Sequence, residues 1–304
     1  MPRLPDFEAW AIFAQVAQYG SFAQAAQNLG LSRPTVSRAV SRLEEALGVA
    51  LFQRTSRQLS LTAAGQSVLG YASRLLAEGR AAEEALQEEA GPPRGRVRVT
   101  MPVTFGLRHV SPILPEFMEA YPHITLEVDF SDHSVDLVAQ GYDLALRISA
   151  LVDSSMKMRH LCKVPRFLVA SPTWIERHRA MTHPRDLGDH LSVVYQHVGA
   201  SPTCLRLHTE EGELATVIPR RPRIVSNNAD VFLPFLEKGE GVGLLPAFMA
   251  DGAIKAGRLV KIMPQWQSDS VALHILTPPN AQRPARVSVF IEWLVSHFKK
   301  PCWE

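Results

Sequence analysis

The sequence lacks several features that would point to a secreted or membrane protein. It has only three cysteines, which are far apart and odd in number, so a disulfide framework is not expected. No apolar run reaches the roughly 18 residues that a membrane span requires. The start, MPRLPDFEAW, has no signal-peptide pattern. We therefore expect a cytoplasmic protein without a membrane partner.

Motifs for catalysis and cofactor binding are also missing. The sequence contains no GxSxG, HExxH, Walker loop or GxGxxG, and its glycine-rich segment 239–243 precedes a predicted strand, which is the wrong context for a phosphate loop. Histidine and cysteine are neighbours at 160–162 and at 204–208, but eleven histidines make such pairs common by chance. We expect no enzyme activity, no metal and no cofactor. A redox role for Cys162 or Cys204 stays open.

Lysine is absent before Lys157, so every basic side chain in the first half is arginine, the residue best suited to planar, bidentate contacts. The net charge of the 304-residue chain is only +2, which says little about nucleic acid. Between residues 30 and 60, however, five arginines face two glutamates, a local excess of three (5 − 2). The length suits two or three domains of an ordinary globular protein.

The segment SFAQAAQNLGLSRPTVSRAVSRLEEALGVALFQRTSRQLSLT predicts two helices, a tight turn and a two-stranded wing. Ser21 with Gln24 forms a capping-box pattern, Gly30 ends the first helix, and Ser32 caps the second with Pro34 in its first turn. Helical spacing predicts a buried stripe made of Val36, Val40, Leu43 and Leu47.

The opposite face of the second helix is rich in arginine and hydroxyl groups. Arginine grips guanine or phosphate, and hydroxyls and helix-end amides hold the backbone of a duplex. The wing loop would carry two more arginines beside the DNA. The predicted DNA-binding residues are Ser32, Arg33, Pro34, Thr35, Ser37, Arg38, Arg42, Arg54 and Arg57. A merely solvated charged face is the alternative, and the combination of cap, turn glycine and wing argues against it.

This stretch, extended to Ala64-Gly65, resembles the winged helix-turn-helix of the LysR-type transcriptional regulators. Arg33 stands where that family commonly has glutamine. The segments RVTMPVTFGLRHVSPILPEF, GYDLALRIS and GVGLLPAFMADG are similar to the CrgA/DmlR-like branch. The resemblance implies an antiparallel pair of linker helices that makes a dimer, and a periplasmic-binding-protein-like effector domain.

The expected fold is therefore an α/β multidomain chain. The stripe Val68, Ala72, Leu75, Ala82 and Leu86 predicts a long helix able to pair with a second copy. Beyond a Gly-Pro hinge, strands and helices alternate, which favours mainly parallel sheets in two lobes. The predicted parts are a DNA-binding domain at 1–61, a linker helix at 62–90, a hinge at 91–95, a first lobe at 96–163 with 267–304, and a second lobe at 164–266.

Polar residues at predicted strand ends mark a ligand site, because open α/β sheets bind ligands beyond the carboxyl ends of their strands. These residues offer hydroxyl, amide or guanidinium groups to a small anionic molecule, although each could instead cap a helix or a strand end. They are Thr104, Ser131, Arg147, Ser149, Asn227 and Asn228.

Three functions follow from these patterns. The favoured one is a ligand-responsive, sequence-specific transcription factor that binds promoter DNA as a dimer of dimers and has RNA polymerase as a further candidate partner. The second is a DNA-organising protein without an effector. The third is an enzyme or a transport-type binding domain with a vestigial N-terminus.

Overall fold

The N-terminal part of the computed structural model is a small helical domain joined to a long helix. The structure describes residues 4–54, 59–88, 91–133, 135–149, 156–178, 181–196, 204–269, 271–279, 283–300 and 303. The first elements are α1 (Phe7–Tyr19), α2 (Phe22–Leu29), α3 (Arg33–Leu47), β1 (Phe52–Arg54), β2 (Leu59–Leu61) and α4 (Ala63–Glu88). We call α1 to α3 with the β1–β2 wing the reading head.

The helix ends in the reading head lie where the sequence predicts them. The Ser21 hydroxyl accepts a hydrogen bond from the Gln24 amide at 3.4 Å and caps α2. Gly30 takes the left-handed conformation at φ 65° that ends α2, a conformation that side chains other than glycine adopt at a cost. The Ser32 hydroxyl accepts from the Thr35 amide at 3.2 Å and caps α3.

Helix α3 buries most of the predicted apolar stripe. Val36, Val40 and Leu43 are almost completely buried against α1 and α2. The prediction was wrong for Leu47, which is 44% exposed. Leu47 is the last residue of α3, directly before the Gly48 cap, so the helix ends before this position is covered.

Helix α4 packs directly on the reading head of its own chain. Leu69 and Ala72 belong to the core of the head, so Ala72 is not free for the predicted seam between two copies. At Gly65 a Cβ atom would lie 2.2 Å from the Leu51 carbonyl oxygen, so only glycine allows α4 to start this close to the wing. The seam residue Leu75 is half-buried, and the side chain of Leu86 lies outside the described residues.

The remaining chain alternates strands and helices. Its strands are β3 (Gly95–Met101), β4 (Ile124–Phe130), β5 (Leu144–Ser149), β6 (Lys157–Val164), β7 (Arg166–Ala170), β8 (Val193–Tyr195), β9 (Leu205–His208), β10 (Leu214–Val217), β11 (Ile224–Ser226), β12 (Gly243–Pro246), β13 (Val260–Lys261), β14 (Gln267–Ser268) and β15 (Val271–Thr277). Its helices are α5 (Val103–Phe105), α6 (Leu114–Ala120), α7 (Leu137–Gln140), α8 (Pro172–Arg177), α9 (Phe232–Glu237), α10 (Ala247–Lys255) and α11 (Ala285–Phe298). A π-helical turn at Gly106–Val110 and a 3-10 turn at Ser111–Ile113 join α5 to α6.

These strands form two lobes. The first lobe is the five-stranded sheet β4-β3-β5-β15-β6, and the second contains the smaller sheets β12-β7-β13, β10-β9-β14 and β11-β8. Strand β3 is parallel to β4 and β5, and β11 to β8, whereas the other pairings are antiparallel. The prediction of mainly parallel sheets was therefore wrong. Strand β15 comes back to the first sheet and lies antiparallel between β5 and β6. Elsewhere the connections are short, as between β9 and β10, and a short loop can join only antiparallel strands because parallel strands need a long crossover.

The crossing between the lobes is short on both passages. Strand β6 ends at Val164 in the first lobe and β7 begins at Arg166 in the second. On the return, β14 still pairs with β9, so the chain leaves the second lobe after Ser268. Helix α11 covers the first sheet, and its Phe290 packs on Phe117 with ring centroids 4.9 Å apart. Among the described residues, no helix is both long and apolar enough to span a bilayer.

Candidate functional site

The outer face of α3 presents the predicted DNA-binding residues to solvent. Ser32, Arg33, Pro34 and Arg38 are exposed, and Thr35 and Ser37 are half-buried at the same end of the helix. The hydroxyls of Ser32 and Thr35 share a hydrogen bond of 2.8 Å. The Arg38 Nε donates to the Pro34 carbonyl at a long 3.4 Å, a weak contact that leaves most of the guanidinium free to reach outward. This arrangement is similar to that of recognition helices, which enter a major groove with their N-terminal residues towards the bases.

Arg42 is held differently from the other arginines of α3. Its Nε donates to Asp6 Oδ2 at 2.6 Å, while Oδ1 of the same carboxylate accepts from the Ala9 amide at 3.0 Å and caps α1. The hydrogen bond to Arg42 lowers the pKa of Asp6, and the amide bond adds to this. One predicted DNA contact is therefore already paired with a carboxylate inside the head.

Glu44 of α3 holds the wing in place, a role that its negative charge alone did not indicate. The carboxylate oxygen Oε1 of Glu44 accepts from the amides of Leu51 and Phe52 at 2.8 and 3.1 Å. Of the two predicted wing arginines, Arg54 ends β1 and Arg57 lies outside the described residues. The two adjacent glutamates of α3, Glu44 and Glu45, were the only sequence signal for this role, and nothing distinguished one from the other.

A cavity of about 680 Å³ lies between the two lobes. Its size is within the range of small-molecule pockets. Apolar side chains from both lobes form most of the wall: Phe105, Val135, Leu137, Ile148, Met156, Phe232, Leu244, Leu245, Phe248, Met249, Val271 and Leu276. The polar side chains of the lining are Thr104, Asp132, Arg147, Ser149, Arg166 and Tyr195.

Three of the six predicted effector residues line this cavity and three do not. Thr104, Arg147 and Ser149 belong to the lining. The hydroxyl of Ser131 instead accepts from the His133 amide at 3.3 Å. The side-chain oxygen of Asn228 accepts from the Asp230 amide at 2.9 Å and caps a 3-10 turn, and Asn227 is outside the lining as well. The capping alternative therefore describes the geometry of Ser131 and Asn228.

Sequence reasoning missed three polar residues of the cavity, namely Asp132, Arg166 and Tyr195. Burial lowers the pKa of both Arg147 and Arg166, so each guanidinium gains from a nearby anion. Burial, with Asp132 adding to it, raises the pKa of Tyr195 to about 12, which keeps its hydroxyl protonated at neutral pH. The cavity thus offers cationic and neutral donors within apolar walls, together with one carboxylate, that of Asp132.

The Ser149 hydroxyl is buried and has no hydrogen-bond partner in the described part of the chain. A buried polar group without a partner costs about 1–3 kcal/mol, unless a ligand or water supplies the bond. Ser149 ends β5 at the cavity wall, so a ligand in the cavity could supply it.

The cavity is bridged by a carboxylate at one edge. Asp230 of the second lobe accepts from the Thr104 hydroxyl at 2.8 Å and from the Arg108 guanidinium at 2.8 Å, both in the first lobe. The hydroxyl that the sequence assigned to a ligand is therefore engaged by a side chain of the opposite lobe. This bridge ties the two lobes together through two charge-assisted hydrogen bonds.

No cluster of three or more potential metal ligands occurs among the described residues. Cys162 is buried in the first lobe, and Cys204 is exposed.

Comparison with known proteins follows the same division of the chain. Residues 7–66 match the model of the bacterial regulatory helix-turn-helix proteins of the lysR family, and residues 90–299 match the LysR substrate binding domain. The chain belongs to the LysR family. It is a transcriptional regulator with a DNA-binding helix-turn-helix and a substrate-binding domain, and family members bind DNA and small-molecule effectors and form oligomers.

The relatives are similar over nearly the whole chain. The HTH-type transcriptional regulator PtxR of Pseudomonas aeruginosa is 34% identical, with 94% of this chain and 90% of PtxR covered. The regulator CrgA of Neisseria meningitidis serogroup C is 30% identical, with 95% of each chain covered. The family prediction is confirmed, as is the expectation that the protein is not an enzyme, because these relatives are transcriptional regulators.

Solved structures of LysR-type regulators share this fold. The full-length structure of AphB, a virulence activator of Vibrio cholerae, superposes with a TM-score of 0.63 at 26% identity, covering 97% of this chain and all of that one. The structure of CrgA from Neisseria meningitidis gives 0.59 at 29% identity, covering 97% and 99%. The predicted fold class is confirmed.

Proposed function

We propose that this LysR-type regulator binds promoter DNA sequence-specifically through α3 and the wing, and that a small molecule in the interlobe cavity controls this binding. The observation that carries the proposal is the exposed, arginine- and hydroxyl-bearing face of α3 on a rigidly capped helix. Arg33 and Arg38 are exposed cations of this face, and in the groove they would reach base edges or phosphates.

The effector is proposed to be a small anion with an apolar body. In support, Arg147 and Arg166 reach a largely apolar cavity, where they are partly desolvated. Ser149 and Tyr195 add neutral hydroxyl groups. A DNA-organising protein, the alternative function, has no need of such a cavity. Ligand binding would favour one angle between the lobes and thereby shift the positions of the reading heads.

The proposed assembly is a dimer of dimers in the cytoplasm, with α4 pairing between two copies and RNA polymerase as a further partner. The proposed parts are 1–61 for DNA binding, 62–90 for the linker helix, 91–95 for the hinge and two lobes beyond it. We place the return to the first lobe after residue 268 because β14 pairs with β9. Two heads of a dimer would occupy successive major grooves about 34 Å apart.

Substitution of Arg38 tests the DNA-binding proposal. Genomic DNA that co-purifies with the cross-linked protein supplies the operator, and fluorescence anisotropy measures its affinity. Arg38→Ala should weaken operator binding by about 1–3 kcal/mol, because it removes one base or phosphate contact. Arg177→Ala, which removes an exposed arginine of α8, is the matched control and should leave the affinity unchanged. Equal affinities for all three proteins would contradict the proposed reading face.

The effector is tested in the same titration. Small carboxylates with apolar bodies are added one at a time, and uncharged analogues of the same shape serve as controls. A carboxylate that shifts the operator affinity, while its uncharged analogue does not, supports an anionic effector. Operator binding that responds to neither series favours the DNA-organising alternative.

A further inference from the structure

The short helix α7 lies between the interlobe cavity and the reading head of the same chain. On one side, Leu137 is buried and forms part of the cavity wall. On the other side, Ala139 packs against the core of the reading head, and the Ser73 hydroxyl of α4 donates to its carbonyl at 3.3 Å. A helix of one turn therefore contacts both the ligand cavity and the DNA-binding part of the chain.

Arg98 of β3 holds α7 in place through hydrogen bonds to its C-terminal end. Gln140 is the last residue of α7 and Gly141 is its C-cap. The Arg98 Nη1 donates to the carbonyls of these two residues at 2.7 and 3.0 Å. The Arg98 Nε donates to Glu127 at 2.9 Å. The side-chain amide of Gln18 is oriented so that both its oxygen and its nitrogen have hydrogen-bond partners, and its oxygen then accepts from the Arg98 guanidinium. This bond joins α1 to the first lobe.

A partly buried series of three hydrogen bonds and one ring contact leads from the cavity to Arg98. The Arg147 guanidinium, in the cavity wall, donates to the Thr100 hydroxyl at 3.2 Å. That hydroxyl donates to Asp129 at 3.3 Å, and the Tyr142 hydroxyl donates to the same carboxylate oxygen at 3.0 Å. The ring of Tyr142 in turn lies under the Arg98 guanidinium, 5.0 Å from its carbon.

We infer that Arg147, Thr100, Asp129, Tyr142 and Arg98, together with α7, couple the interlobe cavity to the reading head within one chain. This rests on the proposed function only in taking the cavity as the effector site. A ligand anion that draws Arg147 into the cavity removes a donor from Thr100, whose bond to Asp129 then rearranges. Tyr142 is bonded to the same carboxylate, so the ring of Tyr142 shifts from its present position under Arg98. The contacts of Arg98 with Gln18 and with α7 then loosen. Hydrogen bonds that share a group polarise one another, which favours a cooperative response.

Tyr142 and Arg98 are positioning residues in this scheme, since neither needs to touch ligand or DNA. The coupling acts within one chain, and a rearrangement between subunits would follow from it. Spatial continuity by itself does not establish coupling, so the test measures whether two substitutions act through one another.

The test is a double-mutant cycle in the full chain, read by hydrogen exchange of peptides from α1. Arg147→Met removes the donor at the cavity, and Tyr142→Phe removes the hydroxyl on Asp129 but keeps the ring under Arg98. Arg147→Met should speed exchange in α1 roughly two- to tenfold, and should have no effect in the Tyr142→Phe background. Tyr121→Phe is the matched control, because the Tyr121 ring packs on Phe117 outside this series, and it should leave the effect of Arg147→Met intact.

Two results would overturn the inference. In the first, Arg147→Met changes the exchange rate of α1 by the same factor in the wild-type and the Tyr142→Phe backgrounds. In the second, Arg147→Met changes exchange only in the first lobe and leaves α1 unaffected. Exchange of α11 reports whether the lobe remains folded. If Arg147→Met disrupts it, Thr100→Val takes its place with the same expected outcomes, since it keeps the shape of the side chain but removes the hydroxyl between Arg147 and Asp129. The cycle needs no effector and no DNA, so its failure is distinct from a failure of Arg38→Ala to weaken operator binding.

Discussion

The pairing of Arg42 with Asp6 predicts that a conservative substitution will strengthen DNA binding. Asp6 bonds Arg42 through Oδ2 and caps α1 through Oδ1. Asparagine caps helices about as well as aspartate, so Asp6→Asn should keep α1 in place while removing the charge that holds Arg42. Glu8, the remaining carboxylate, is 3.9 Å away and mostly exposed, so it would hold Arg42 only weakly.

The size of the gain follows from counterion release. Each additional phosphate contact on duplex DNA changes the slope of log affinity against log salt by about −0.9, which corresponds to roughly fivefold in affinity at about 0.15 M salt. A pair of reading heads gains two such contacts. Asp6→Asn should therefore steepen the slope by about 1.8 and raise affinity roughly 30-fold, for operator and random DNA alike.

Fluorescence anisotropy over a series of salt concentrations measures both quantities on operator and on random duplexes. The double substitution Asp6→Asn with Arg42→Gln is the control, and it should abolish the gain. An unchanged slope for Asp6→Asn, or the same gain in the double variant, would refute the reasoning and remove Arg42 from the DNA-facing surface.

Two further predictions concern assembly and closure. Leu75→Glu should dissociate the dimer, because a glutamate at this half-buried position would place a charge in the seam between two α4 helices. Ala77→Glu, on the opposite side of α4, is the control and should leave the dimer intact. Equal masses for the two variants in light scattering would place the interface elsewhere. Asp230→Asn should weaken the bridge to Thr104 and Arg108 and widen the distance between spin labels on the two lobes; an unchanged distance distribution would mean that other contacts keep the cavity closed.

The reading head could be predicted closely because its signals are local. Ser21, Gly30 and Ser32 specify helix ends through bonds to residues three or four positions away, and a single sequence contains that information. Glu44 was missed because its partners, the amides of Leu51 and Phe52, depend on how the wing folds back. The pairing of Arg42 with Asp6, 36 positions apart, was missed for the same reason.

The effector region was predicted less well, since its geometry depends on contacts between distant segments. Strands β9, β10 and β14 are hard to recognise in the sequence because they are short and gain their stability from one another. Strand-end logic found Arg147 and Ser149 in the cavity, but Arg166 enters it from the second lobe and Tyr195 from the end of β8. Periodicity and composition carry no information on which side chains two lobes will bring together.

The two sides of α4 offer a route by which a change in the effector lobes would reach the DNA under the proposed function. One side packs on the reading head through Leu69 and Ala72, so we expect the head and the first half of α4 to move as one body. Another part of the helix surface remains open and carries Tyr71, which is 68% exposed with the Arg74 guanidinium over its ring. A second copy paired along such a surface would inherit any tilt of α4 as a tilt of its recognition helix. Because Ser73 of the same helix also bonds α7 beside the cavity, one rigid element would connect ligand, partner and DNA.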